Sequence, residues 1–356
     1  MELFANCLNY TSADVHMLAM SSDELKSDLL SLVDHFKEMK VGVVGDVMLD
    51  KYVSVEARKL SREAPVIVAD YTGERFHPGG AANLALKISR LGAKVSLFGV
   101  VGRDEQSEIL TNLLSQGNVE SSGMVSGSKP TSLKTRIYLN KRQYLRIDRE
   151  DPSDIDSETR SILLERIRNG FAGLKAIVIS DHDKGTLTSD VISEVIKLSA
   201  SQRVPVIARP KVKHLLDFVY STSVLSSVKE ASEAMDVPAI NDSSLRNMGI
   251  NLLNRLEAGS VFLWNHKNSM LFQRGAITYI PVASDGTSER IGLRDFITAV
   301  YSLCMAAGGT PIECAYLAVN AQYVYSGSAD PGFSELVSAI KSPKSQGTEY
   351  KSVKVR

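Results

Sequence analysis

Val41-Gly-Val-Val44 runs directly into Gly45-Asp46-Val-Met-Leu-Asp50, a short β-branched run followed by a loop with two carboxylates. A short apolar run of this kind reads as a strand buried on both faces. Its carboxyl end is where an open parallel sheet meets a ligand. Comparable runs recur at Val95 to Val101, Ala176 to Ser180, Val204 to Ala208 and Val261 to Trp264. Helical spacing fills the intervals at Gly80 to Leu91, Ser157 to Asn169 and Thr188 to Ser199. Alternation at this interval predicts an α/β domain with a doubly wound, mostly parallel sheet. Tyr52 to Tyr71, and Ser132 to Asp148 with a turn at Lys141-Arg142, break the pattern. They read as strand-rich segments and predict a small β-sheet lid, about residues 52–77 and 132–149.

The flanks are simpler. Ser21-x-x-Glu24 has the spacing of a capping box, and Leu25, Leu29, Leu32, Val33 and Phe36 then share one helical face. Residues 1–39 are therefore expected to be an extension with one helix, and 40–340 the main domain. Helices are expected at Leu293 to Ala307, Pro311 to Tyr325 and Phe333 to Ile340, with Gly308-Gly309-Thr310-Pro311 as a stop and a proline start. Residues 341–356 carry five basic residues and one acid, and are expected to form a disordered tail.

Composition narrows the function classes. The 356 residues hold 41 Lys plus Arg against 41 Asp plus Glu, so no general basic field favours nucleic acid. Apolar runs are too short to span a bilayer and no leader is expected, which points to a soluble, cytoplasmic protein. The three cysteines lack metal spacing, so no metal site is expected from them; Cys304 and Cys314 read as buried thiols.

Four segments could carry chemistry. Asp46 and Asp50 suit sugar hydroxyls, or simply make a turn. Gly79 and Gly80 lead into a helix whose free N–H groups Asn83 follows, or serve tight packing. Ser180-Asp-His-Asp-Lys-Gly185 puts Asp181 and Lys184 on the same sheet edge. Gly292-Leu-Arg-Asp295 opens an apolar helix, where an acid suits the dipole whatever its chemistry.

In order and at these separations, the segments resemble the ribokinase-like (PfkB) carbohydrate kinase family. Within it they are similar to the kinase domain that acts on D-glycero-D-manno-heptose 7-phosphate. The matching text is Val43 to Tyr52, Leu60 to Val66, Pro78 to Ala85, Thr135-Arg136, Gln143 to Asp148, Ser180 to Gly185 and Pro210-Lys211. The resemblance implies a lid over a sugar or sugar phosphate, ATP and Mg2+ as cofactors, and a homodimer through the lid. It implies Asp46, Asp50, Gly79, Gly80, Asn83 and Asp181 at the sugar, and Asp295 as general base. Arg58, Arg136 and Lys184 are the candidate cations for the sugar's phosphate.

The ATP side departs from the family pattern. Gly-Ala-Gly-Asp is replaced by Gly292-Leu293-Arg294-Asp295, preceded by Glu289-Arg290-Ile291, so Arg294 alters the anion hole. Asn-x-x-Glu reads Ser227-Val-Lys-Glu230, and the Asp of Asp-Pro-Lys is Arg209. A nucleotide-proximal Thr-x-x-x-x-Gly reads Trp264-Asn-His-Lys-Asn-Ser269. Ser227, Glu230, Trp264 and Ser269 are therefore the expected remnants of a degenerate ATP site. The expectation is a sugar-phosphate-binding protein whose phosphoryl transfer is weakened or lost. The alternatives are an active sugar kinase in which Asp295 is the base and Arg294 assists transfer, and a purely structural subunit.

Overall fold

The computed structural model describes residues 22–238, 241–264, 268–281, 292–327, 331–341 and 351–354. Residues 1–21, with Ser21 of the expected capping box, Asn265 to Lys267, Glu289 to Ile291 and most of the basic tail lie outside them. Helix α1 (Ser22–Asp34) precedes β1 (Lys40–Gly45). A long hairpin of β2 (Val47–Leu60) and β3 (Ile67–Gly80) feeds α2 (Ala81–Arg90), β4 (Lys94–Val101), α3 (Glu105–Gln116) and β5 (Val119–Ser126). A second hairpin, β6 (Ser132–Leu139) and β7 (Arg142–Arg149), is followed by α4 (Ser157–Gly170), β8 (Ala176–Ser180), α5 (Ser189–Gln202) and β9 (Val206–Arg209). Next come β10 (Ser223–Ser227), α6 (Val228–Met235), α7 (Asp242–Leu256) and β11 (Ser260–Trp264). The chain closes with β12 (Asn268–Gln273), β13 (Ala276–Pro281), α8 (Leu293–Ala306), α9 (Pro311–Gly327), α10 (Phe333–Lys341) and β14 (Lys351–Lys354).

The main sheet has the order β14-β13-β12-β11-β10-β9-β8-β1-β4-β5. From β11 to β5 every pairing is parallel, and β12 to β14 add antiparallel strands at one edge. Successive residues go to opposite cores: Val41, Val43, Ala176 and Val178 to one side, Val44, Ile177 and Ile179 to the other. That is why these strands read as continuous apolar runs rather than alternating ones. The lid is a separate sheet of order β3-β2-β6-β7.

Three expectations need correction. Leu25, Leu29, Val33 and Phe36 are buried in the main core, so α1 is part of the domain's packing rather than an appendage. Within the tail, Lys351–Lys354 pairs antiparallel with β13 instead of lacking structure. The lid turn is at Asn140-Lys141, both at positive φ (48° and 67°), one residue before the expected pair. Cys304 and Cys314 are buried free thiols, and no helix among the described residues is long and apolar enough to cross a membrane.

Gly80 sits at φ +58°, and a Cβ there would lie 2.4 Å from the Asp46 carbonyl oxygen. Only glycine can end β3 and start α2 at this point. Gly80→Ala should cost at least about 1–3 kcal/mol from backbone strain alone, read as a lower urea midpoint.

Asp181 ties the loops after β8 and β9 together. Its Oδ1 accepts the Asp183 N–H at 2.8 Å, and its Oδ2 accepts the Lys211 N–H at 2.9 Å and lies 3.1 Å from His214 Nδ1. The Asp181 hydrogen bond raises the His214 pKa, whereas burial and then the charge of Arg209 hold that of His182 well below normal. The His214 contribution is complete below about pH 6.5 and fades as pH rises through its raised value. His182 works oppositely, costing stability as pH falls below about 6.5. Thermal stability should therefore peak near neutrality, and His214→Gln should flatten the alkaline limb alone; an unchanged limb would exclude His214 as its source.

Candidate functional site

The chain runs from β1 to β4 and β5 on one side, then returns to β8, β9, β10 and β11 on the other. The β1/β8 boundary is thus the sheet's topological switch point, where open parallel sheets present a crevice. Register places Gly45 beside Ser180, Ser180 beside Arg209, and Ser227 beside Trp264 at the carboxyl edge. Asp46, the 180–186 loop, Arg209 and Ser227 all leave the sheet there. The sequence motifs, far apart in the chain, converge because they end neighbouring strands.

Asp46 does not present a free carboxylate to a sugar. Its Oδ2 accepts the backbone N–H groups of His182 (2.8 Å) and Lys184 (3.2 Å), and its Oδ1 accepts that of Thr186 (3.0 Å). It is 1% exposed. Burial pushes its carboxyl up, opposed by those amides. The same residue's carbonyl accepts the Ala81 N–H at 2.9 Å. Asp46 is a positioning residue for two loops, a correction to its expected role as a hydroxyl acceptor. Asp181 is corrected likewise: at 1% exposed it anchors the 209–211 turn rather than touching a ligand.

The lid supplies the sugar side. Asp50 and Arg136 face each other from β2 and β6, and the Arg136 Nη1 donates to Asp50 Oδ1 at 2.6 Å. Arg136 also lies 5.4 Å from the Tyr52 ring centre, with Arg75 at 4.8 Å from it, so both guanidiniums stack near one aromatic ring. Burial works against the Arg136 charge, but Asp50 outweighs it and its pKa is raised. Glu150 then joins the two hairpin-side lysines, accepting from Lys134 at 2.9 Å and Lys184 at 2.7 Å. Gly79 stands opposite Met48 in the β2–β3 ladder. Arg58 is not part of this group: its half-exposed side chain pairs with Asp70 at 3.5 Å near the lid's outer end. Its selection for the phosphate is corrected, because it lies beside a motif at the far end of the long strand β2, away from the crevice.

The candidate base is enclosed by donors. Asn83 Nδ2 donates to Asp295 Oδ2 at 2.5 Å, and the Arg209 guanidinium forms a short ion pair with Asp295 Oδ1. The Asn83 Oδ1 is buried and lacks a donor among the described residues. Gly292 caps α8 at φ +86°, where a Cβ would lie 2.5 Å from the Tyr325 hydroxyl. Buried Lys87 adjoins it, its Nζ donating to that hydroxyl at 3.4 Å; burial lowers the lysine's pKa. Leu293-Arg294 follows, and the Arg294 side chain turns to Glu230, Nη1 to Oε1 at 3.2 Å.

Glu230 is saturated. Its Oε1 also accepts from Lys211 Nζ at 2.8 Å, and its Oε2 accepts from Ser227 Oγ at 2.8 Å and Ser227 N–H at 3.3 Å, completing a capping box on α6. Burial pushes this carboxyl up, but Lys211, Ser227 and Arg294 outweigh it and hold its pKa at about 2. Magnesium, implied by the resemblance, does not fit this donor set: both carboxylates are committed to the chain's own cations. Among the described residues no group of three or more His, Cys, Asp or Glu could hold a metal ion.

Two further candidates are buried. Trp264 lies in the main core beside Phe262, ring centres 6.4 Å apart, and Ser269 is fully buried within β12, its Oγ without a hydrogen-bond partner among the described residues. Sequence reasoning flagged Arg209 as a departure but not as the partner of Asp295, and missed Glu150 and Lys134. A charge of opposite sign at a position where the family carries an acid was the available signal.

A PfkB family carbohydrate kinase model matches residues 39–245. The bifunctional protein HldE of Geobacter sulfurreducens is 32% identical over 286 residues, covering 80% of this chain and 58% of that protein. The HldE of Geobacter metallireducens matches to the same extent. The chain thus spans less than two thirds of the length of these relatives. Escherichia coli phosphofructokinase-2 in complex with fructose-6-phosphate superposes with a TM-score of 0.70 at 17% identity, covering 85% of this chain and 98% of that one. Arabidopsis thaliana ribokinase complexed with ribose and ATP gives 0.66 at 17% identity, covering 85% and 99%. The fold agrees with these likenesses, and the chain belongs to the PfkB family of carbohydrate kinases.

Proposed function

We propose that this chain binds a sugar or sugar phosphate of the heptose 7-phosphate class, and that its ATP-dependent phosphoryl transfer is weakened or lost. The observation that carries the reading is the engagement of Asp295. A general base must accept the proton of the attacking hydroxyl within hydrogen-bond reach. Here one carboxylate oxygen holds a guanidinium and the other an amide, so proton acceptance requires giving up an ion pair. The sugar side supports retained binding: the Asn83 Oδ1 is a buried acceptor without a donor among the described residues, suited to a hydroxyl. The Asp50–Arg136 pair and the Lys134–Glu150–Lys184 group supply further polar partners under the lid. The reading places the protein in the cytoplasm, with no nucleic-acid or membrane partner.

A coupled assay with ATP–magnesium and heptose 7-phosphate should give turnover far below about 1 s⁻¹, the lower end for kinases. Leu293→Ala with Arg294→Gly should recover little. Adding Arg209→Asp and Ser227→Asn should recover more than the separate changes sum to, because residues acting as one unit are coupled. Turnover near 1 s⁻¹ in the unmodified protein, removed by Asp295→Asn, would refute the loss of transfer.

The lid also supports self-association. Leu145 and Ile147 of β7 align with Ile137 and Thr135 of β6, and Ile137 with Val53 of β2, on one sheet face. Leu145 is 47% exposed and Ile147 52%, an apolar face larger than isolated surface residues would make. A solved form of Escherichia coli phosphofructokinase-2 is tetrameric. A homodimer through this face should appear in sedimentation velocity, and Leu145→Lys with Ile147→Lys should yield a folded monomer, its circular dichroism spectrum unchanged. A wild-type monomer at micromolar concentration would exclude it.

A further inference from the structure

Two short segments face each other across the transfer site, and each brings cations. Arg209 ends β9 and Pro210-Lys211 follow it, while Arg294 and Asp295 lie in the first turn of α8. Lys211 Nζ and Arg294 Nη1 converge on the same oxygen, Glu230 Oε1, at 2.8 and 3.2 Å. Their charges are therefore held no farther apart than those two contacts laid end to end. Arg209 pairs with Asp295 beside them. Three cations are thus gathered at this end of the site, each already facing a carboxylate. Like charges fixed this close repel, and an added anion relieves that repulsion.

Donor capacity points the same way. A guanidinium has five N–H donors and an ammonium three. Among the described residues, Arg209 uses its side chain on Asp295 and Lys211 on Glu230. Lys211 and Arg294 side chains remain 35% and 28% exposed, so an incoming ligand reaches them. The 209–211 turn is held rigidly: the Asp181 N–H donates to the Arg209 carbonyl at 3.0 Å, and Asp181 Oδ2 accepts the Lys211 N–H. The N-terminus of α8 adds its partial positive charge at the same place.

We propose that Arg209, Lys211 and Arg294 form a metal-independent site for the di- or triphosphate group of a ligand. The side chains supply the charge neutralisation that a magnesium ion would otherwise bring. This rests on the reading, given above, that Glu230 and Asp295 are closed to a metal. The group recognised is the oligophosphate itself, carried by a nucleotide or free in solution.

Isothermal titration calorimetry of the full chain in EDTA, with inorganic triphosphate and with ATP in parallel, tests it. At least one should bind in EDTA, and excess magnesium should not tighten it. Equal affinities identify free oligophosphate as sufficient; preference for ATP identifies a nucleotide as the source. Lys211→Ala and Arg294→Ala should each weaken binding by about tenfold or more, the loss of a charge-assisted bond. Glu230→Gln keeps a side chain that can complete the capping box while releasing both cations, so it should tighten binding. A metal-ligand role for Glu230 would instead make that variant bind more weakly in magnesium. No binding in EDTA by either probe overturns the proposal. If transfer stays absent in that case, only the anion site falls; binding that requires magnesium together with measurable transfer removes both readings.

Discussion

A buried carboxylate, Asp46, holds the crevice in shape. Taking an ionised carboxylate out of water is costly unless hydrogen bonds replace its hydration. Here three backbone N–H groups of the 182–186 loop replace it, and each of those amides would otherwise be a buried donor in want of an acceptor. The same residue's carbonyl takes the first N–H of α2. One residue after β1 therefore fixes the loop after β8 and the start of the helix that bears Asn83. Everything placed on either side of the switch point inherits its position from this contact.

What stands around that frame is decided by electrostatics. A kinase of this fold needs a carboxylate ready to take a proton and others ready to share a metal. In this chain Asp295 and Glu230 are instead neutralised by Arg209, Lys211 and Arg294. Separating one partner from a buried pair costs about 3–5 kcal/mol. Each 1.36 kcal/mol is a tenfold change in rate, so opening the Asp295 pair alone would slow a reaction by about two to four orders of magnitude. On the function proposed above, that alone would move a kinase far from its usual range.

The sequence made the sheet legible where strands were purely apolar. Ala176 to Ser180 was read with the observed ends, and Val261 to Trp264 one residue short at its start, because both faces of the sheet are covered. Ser223–Ser227 was not read as a strand, since three of its five residues are serines. They are buried all the same, with Ser223 Oγ 2.8 Å from Ser260 Oγ and accepting the Tyr301 hydroxyl at 3.0 Å. Partners supplied by other elements are invisible to local patterning. The same limit explains Asp46: its motif spacing was correct, but backbone donors from 136 to 140 positions away consumed its oxygens. Arg58 failed differently, for a motif does not say how far along a 14-residue strand a side chain stands from the crevice.

The presence of Asp295 also acquires a second explanation. Arg209 is 8% exposed, and a guanidinium buried to that degree needs a carboxylate whether or not any reaction occurs. Removing Asp295 would strand that charge, and Asn83 would lose the acceptor of its amide as well. A substitution at Asp295 would then damage the sugar side through Asn83 and the phosphate side through Arg209, without any proton transfer being involved. Loss of activity on changing this residue is thus consistent with a structural role unless stability is followed in the same variant. A base role predicts unchanged folding with lost turnover, whereas an anchoring role predicts a lowered melting temperature and weakened binding on both sides together. The ion pair makes the second pattern the physically expected one, because the cost falls on the folded state before any substrate arrives.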